Sequence, residues 1–393
     1  MSSTPVPTFR PTPALDQIRA DLGLLADLAG SWSGEGFNLI ARPDFQGNAN
    51  LYLQLNQTRE DLKFDPIGSA IPNRGFGQED IQLFGLTYLQ KISDLSNGGA
   101  LHIEPGIWVT QPPTNFPPET APPPGQIVAR MASIPHGNAM LAQGTAEPFT
   151  GPPVLTTAAA QYTGSLFPSF NSTPFATTPT APTPPGPLIN AAGSDEKTTA
   201  ANTPKAVAFT QYDLSVGASS TNPRTPFGTD PPDPALPATI NGVAMQSVIN
   251  DPILLLQAII NDQVARGFTF AGTAINIATQ AQVTFLKNAN SGPGTAAQPA
   301  PSTVVPVPDG AGGIENILFL LGNQAPPPPQ PNAQTALVYA TFWIEKITTP
   351  GGTSFMQLQY AQMVILNFPI LTAPAVVLGW PHISVATLRK AFD

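Results

Sequence analysis

The 393-residue chain contains no cysteine. Disulfides, thiolate metal sites, iron–sulfur clusters and covalent haem attachment through C-x-x-C-H are thereby excluded. A chain without thiols also carries no record of its redox compartment. Charge is scarce as well: only 10% of residues are Asp, Glu, Lys or Arg, against about a quarter in an ordinary soluble domain. With 25 acidic and 16 basic residues the net charge is −9, and no run of Lys and Arg occurs. Such a chain is poorly suited to neutralising a run of phosphates, which argues against nucleic acid. It has no polybasic segment for an anionic membrane surface. No window approaches 18 consecutive apolar residues, so no membrane span is expected. Residues 1–14 are polar and Pro-rich and lack the apolar core of a signal peptide, so the chain reads as cytoplasmic. G-x-S-x-G, H-E-x-x-H, a Walker A loop and a strand-borne G-x-G-x-x-G are all missing. Their absence removes the usual templates for serine hydrolases, zinc proteases and nucleotide binding.

What the chain has in excess is proline: 48 residues, roughly 12% against a usual ~5%. Proline lacks a donor and breaks helix interiors and central strands, so many or long loops are expected. The stretches 148–204 and 218–237 are the main candidates. The hydrophobic fraction of 41% suffices for a core, and Gln, Asn, Thr and Ser must supply most of the polar surface.

Two segments carry a helical period. Over 13–29, Leu15, Ile18, Leu22, Leu25 and Leu28 share one face, Pro13 suits a first turn and Gly30 can close the end. Over 250–266, Asn250 or Asp251 can cap, Pro252 suits the first turn, and Leu254, Leu255, Ala258 and Ile259 form an apolar face. That second helix is expected as a plug or across one barrel end. Elsewhere the period is two. Leu51, Leu53 and Leu55 alternate with Tyr52, Gln54 and Asn56. Further strands are expected near 36–40, 81–92, 100–110, 126–134, 139–147, 206–216, 268–280, 314–321, 336–347, 355–368 and 382–391, with no fixed-period repeat. Sequential strands tend to pair with their neighbours, and closing such a meander removes its edges. The expected fold is all-β and mainly antiparallel, a barrel of roughly 10–12 strands. It would form one enlarged domain over 1–393, with a tail and helix at 1–30, one internal helix and Pro-rich insertions.

Only three histidines occur, His102, His136 and His382, each within or beside an expected strand. Any imidazole chemistry must use one of them, although a lone histidine among apolar residues is more often hydrogen-bonded and structural. Trp32, Trp108 and Trp343 read as core fillers. Glu35 and Glu104 could form a carboxylate pair, but glycosidase chemistry needs a set separation.

Three segments together resemble the nitrobindin-type haem-binding barrels. Gly30-Ser31-Trp32-Ser33-Gly34-Glu35-Gly36 is similar to that family's opening G-x-W-x-G-x-G. Leu101-His102-Ile103-Glu104-Pro105-Gly106-Ile107-Trp108 resembles its His-x-Glu-x-Gly-aromatic strand. Trp380-Pro381-His382-Ile383-Ser384-Val385-Ala386-Thr387-Leu388-Arg389-Lys390 resembles its closing Pro-His strand. The resemblance covers the first ~120 and last ~60 residues of a chain more than twice the family's size; residues 150–330 have no counterpart. It implies a lipocalin-like or nitrobindin-like barrel holding non-covalent haem b, with His382 as the proximal iron ligand. His102 would be a second pocket residue and Trp380 part of the apolar slot, beside Phe368, Leu366 and Ile383. Ferric haem with an open distal side would suit nitric oxide or peroxide-type chemistry, so the resemblance leaves enzyme or carrier undecided. Arg389, Lys390, Arg42 and Arg74 are candidates for the propionates, though each also reads as an ordinary solvated charge. His136 matches nothing in the family. Two other readings remain: a carrier of another apolar ligand of fatty-acid-binding or lipocalin type, and a structural, self-associating protein whose low charge offers little repulsion between copies.

Overall fold

A computed structural model gives the fold and describes residues 14–44, 49–75, 77, 79–110, 125–135, 137–153, 155, 173–176, 205–207, 237–250, 252–279, 313–316, 334–370 and 373–391. The chain opens with helix α1 (Leu15–Leu22) and a 3-10 turn (Gly23–Leu28). Six long strands follow: β1 (Gly30–Asp44), β2 (Ala49–Pro66), β3 (Ile81–Asp94), β4 (Ala100–Thr110), β5 (Gln126–Ile134) and β6 (Asn138–Thr150). Next come helices α2 (Met245–Asn250) and α3 (Ile253–Ala265). Strands β7 (Thr269–Ala278), β8 (Gln334–Thr348), β9 (Ser354–Ile370) and β10 (Ala373–Lys390) complete the chain.

Each of the ten strands pairs antiparallel with its sequence neighbours, and β10 returns to pair with β1. The result is a closed up-and-down barrel, as the alternating pattern predicts. A short strand, Gly313–Asn316, adds to the free half of β6, and Ile71–Asn73 adds to β3. No helix among the described residues is long and apolar enough to cross a membrane.

Register decides which residues enter the lumen. Gly36 pairs with Thr58 and Ala386, Gln90 with Glu104, Trp108 with Arg130, and Phe342 with Tyr360. Directly paired residues share a face, so these all point inward, and so does every second residue from them. The lumen half next to the N-terminus is packed with Trp32, Phe64, Tyr88, Trp108, Phe342, Tyr360 and Leu388, all buried. Leu22, Leu25 and Leu28 join this core from below. The N-terminal helix is therefore the plug. It is pinned by Trp32 Nε1 donating to Leu28 O at 2.7 Å, Leu24 N donating to Gln126 Oε1 at 2.8 Å, and Gln126 Nε2 donating to Leu22 O at 2.9 Å.

Several expectations are corrected. α3 does not plug an end; it packs against the outer wall of β10, burying Ile253, Leu255, Leu256, Ile260 and Gln263. The strands are longer than the pattern alone marks: β1 begins six residues before Gly36, and β10 begins nine before His382. Prolines 105, 148 and 381 lie inside strands, so the excess is not confined to loops. Of the expected strand 206–216 only 206–207 are described, within a short strand Lys205–Val207 that pairs with Thr173–Ala176; the rest of it and most of the stretches 148–204 and 218–237 lie outside the described residues.

Candidate functional site

Strand alternation sorts the candidate residues. His382 lies midway along β10, paired with Ile40 on one side and Val364 on the other. It belongs to the lumen face, beyond the packed aromatic half and on the side away from the N-terminal plug. Trp380 lies two residues before His382 on β10, where its backbone pairs with Leu366. Arg42 takes the same step on β1, two residues beyond Ile40. His102 pairs with Ile92 and is also on the lumen face. The structure thus brings His382 and His102 to one lumen, with β1, β2 and β3 between them around the wall.

Other candidates are separated from them. Arg389 is on the outer face, its guanidinium 3.6 Å from the Phe355 ring centroid. Lys390 is held at the plug, its Nζ donating to Asp27 O at 3.0 Å. Seven residues of strand separate Arg389 from His382, roughly 23 Å at ~3.3 Å per residue, so neither cation serves a group at His382. Arg74 pairs with Asp80. Glu35 faces outward opposite Arg59 and Thr387, whereas Glu104 faces inward, so the two form no carboxylate pair. Ile383, adjacent to His382, is likewise an outer-face residue. Trp32 and Trp108 fill the lumen and Trp343 is buried on the outer side of β8. His136 lies outside the described residues.

Between the packed rings runs a polar network that the sequence reading missed. Arg130, 2% exposed, pairs with Glu104, 1% exposed, at the centre of the lumen. The Tyr88 hydroxyl also donates to Glu104. Arg130 Nε donates to Tyr88 Oη at 2.9 Å, and Nη1 to Gln362 Oε1 at 2.7 Å. His102 Nε2 lies 3.3 Å from the second carboxylate oxygen. The guanidinium sits between the Tyr88, Phe342 and Trp108 rings, at 5.4, 5.5 and 5.9 Å from their centroids. Burial opposes charge on Glu104, but Arg130, His102 and Tyr88 outweigh it and hold the carboxyl down at about 2. A second cluster joins Glu60 to Tyr360 at 2.7 Å, Gln90 at 3.1 Å and Thr58 at 3.2 Å. Here burial wins over those hydrogen bonds and raises the carboxyl, since no cation touches it.

The His-x-Glu-x-Gly segment acquires a packing role from this network. A Cβ on Gly106 would lie 2.4 Å from Tyr88 Cε1 and 2.3 Å from Met131 O, so only glycine lets the Tyr88 ring lie against β4. Arg130 was legible in principle. On β5, Val128, Arg130 and Ala132 occupy the inward positions of a strand whose outward Met131 is 37% exposed. A lone arginine in an apolar inward row marks a buried partner.

The described residues contain no group of three or more His, Cys, Asp or Glu side chains able to hold a metal ion. No family model matches the chain, and no curated protein matches it. Among solved structures, the chain is similar to the crystal structure of Rv2717c from M. tuberculosis, at 10% identity and a TM-score of 0.31 over 94% of this chain and 95% of that one. A likeness at that level supports no inference about family or ligand.

Proposed function

We propose that the barrel binds a planar apolar ligand in the half of its lumen away from the N-terminal plug, and that this ligand is haem b held through His382. The observation that carries the reading is the register: His382 enters the lumen between Ile40 and Val364, with Arg42 one inward position further along β1. The donor set fits the group. Iron without thiolate requires an imidazole, Met or Tyr ligand; Ile40, Val364 and Leu366 offer an apolar wall, and Arg42 a cation for a propionate. Bound haem, with His382 holding it, would supply an iron able to take a small diatomic molecule.

His102 belongs to the wall rather than to the iron in this reading. Its Nε2 is engaged by Glu104, which Arg130 and Tyr88 also hold. If no acid–base group reaches the iron, such a pocket would favour gas binding over heterolytic peroxide cleavage. The resemblance to nitrobindin-type barrels points the same way. A long acyl chain is disfavoured by a different feature: the plug-side half of the lumen is occupied by the buried side chains of Trp108, Phe342, Tyr360 and Arg130.

Hemin titration followed by UV–visible spectroscopy tests the proposal. The expected result is a stoichiometric Soret band that His382→Ala abolishes without loss of fold, while His102→Ala and His136→Ala retain it. A wild-type spectrum that hemin leaves unchanged would sink the haem reading, and acyl lipid extracted from the same protein would favour a carrier of another apolar ligand.

A further inference from the structure

Away from the lumen, a buried carboxyl lies beneath α3. Glu345 is on the outer face of β8, 0% exposed, with Gly272 of β7 on one side and Gln357 of β9 on the other. Gln357 Nε2 donates to Glu345 Oε2 at 2.5 Å, and Gln263 Nε2 of α3 donates to Gln357 Oε1 at 2.9 Å. Glu345 Oε1 has no hydrogen-bond partner among the described residues. Both Gln263 and Gln357 are buried, at 1% and 0% exposure. A two-amide chain therefore links the barrel carboxyl to the last turn of the helix covering it.

We infer that α3 is a proton-gated cover: it stays docked while Glu345 is protonated and lifts from the outer wall when Glu345 ionises. In the protonated state the carboxyl is neutral and each link of the chain carries a hydrogen bond, Glu345 Oε1 alone staying without one. The Glu345 hydroxyl donates to Gln357 Oε1 with that amide turned over, and Gln357 Nε2 donates to Gln263 Oε1. Loss of the proton reverses the chain and leaves a buried carboxylate with one amide donor. Burying charge with so few hydrogen bonds is costly, and water becomes the better solvent for it. Gly272 supplies no side chain, and α3 brings the exposed Asp262–Arg266 pair, closed at 2.6 Å, rather than a cation aimed at Glu345. Lys346, next along β8, is on the opposite face. Arg389 on β10 is the one cation whose charge is felt, and it is itself exposed over Phe355.

Burial raises the Glu345 carboxyl to about 8, against the pull of Gln357 and Arg389. With α3 lifted, water reaches the carboxyl and its value falls back towards the ordinary 4.5. The lifted state thus binds fewer protons than the docked one between these two values, and opening is favoured as pH rises across that window. It levels off above about 8, where both states are ionised.

Hydrogen–deuterium exchange of the α3 amides, corrected for intrinsic rate, reads this directly. In wild type the protection of residues 253–265 should fall by up to about tenfold per pH unit between roughly pH 5 and 8, then flatten, while β1 and β2 show no such slope. Glu345→Gln keeps the amide chain without the proton and should make α3 protection independent of pH. Wild-type α3 protection that does not change with pH overturns the proposal even if the variant fails to fold. A slope unchanged in Glu345→Gln overturns it as well, by assigning the titration elsewhere.

Discussion

Arg130 sets the chemistry of the lumen more than any other single residue. Its guanidinium is enclosed by three aromatic rings and is paired with a carboxylate that Tyr88 also holds. Replacing it with Met leaves Glu104 charged and buried without its cation, which costs about 3–5 kcal/mol. Removing both charges, as in Glu104→Gln with Arg130→Met, should recover much of that loss, because two buried charges no longer need water replaced. Urea unfolding of the single and double variants measures the difference, and a single variant within 1 kcal/mol of wild type would show the pair to be idle. Acid offers a second readout. With the Glu104 carboxyl lowered from 4.5 to about 2, its contribution is complete above about pH 4.5 and disappears as pH falls towards 2; Glu104→Gln should lack that part of the acid slope. These residues also mark the limit of what the sequence discloses. His102 and His382 could be nominated because there are so few histidines and each sits in an alternating strand. The network could not, because Glu60 and Tyr360 are 300 positions apart and meet only through closure of the barrel.

At the level of elements, the N-terminal helix shows how a local pattern becomes tertiary structure. The spacing of Leu22, Leu25 and Leu28 reads directly as one face, but not what that face covers. All three are buried in the lumen core, and Gln126 of β5 accepts from and donates to the backbone of the plug. The chain tightens into a 3-10 turn at Gly23, whose φ of 54° is easy for glycine alone, so the regular helix ends sooner than the apolar period does. The internal helix was legible in position and misread in place, because its apolar face fits an apolar outer wall as well as a barrel mouth. Leu25→Ala should cost about 2–5 kcal/mol, since the side chain is 0% exposed and closely packed. A loss under 1 kcal/mol in denaturant unfolding would mean that the plug is dispensable to the barrel.

The whole molecule depends on one seam, where the last strand meets the first. Nine of the ten lateral pairings join consecutive strands, so they close loops already present in the chain; the β10–β1 pairing joins positions as distant as Trp32 and Lys390. Gly36 lies at the middle of that seam. A Cβ there would meet Val385 O at 2.3 Å, with Ala386 Cβ and Thr58 Oγ1 each at 2.8 Å. The clash is with backbone, which cannot swing aside, so β1 could admit a side chain only by moving off β10. Gly36→Val should therefore destabilise by about 3 kcal/mol or more, at the upper end for overpacked sites. Because closure is what hides the edges of β1 and β10, the damage should extend beyond a lower Tm to exposed ladder groups and self-association. Amide exchange localised to β1 and β10, together with an increase in particle size by light scattering, is the expected signature. A Gly36→Val protein that stays monomeric and melts with wild type would show that the seam can yield without opening, and that the barrel is held by its nine sequential pairings alone.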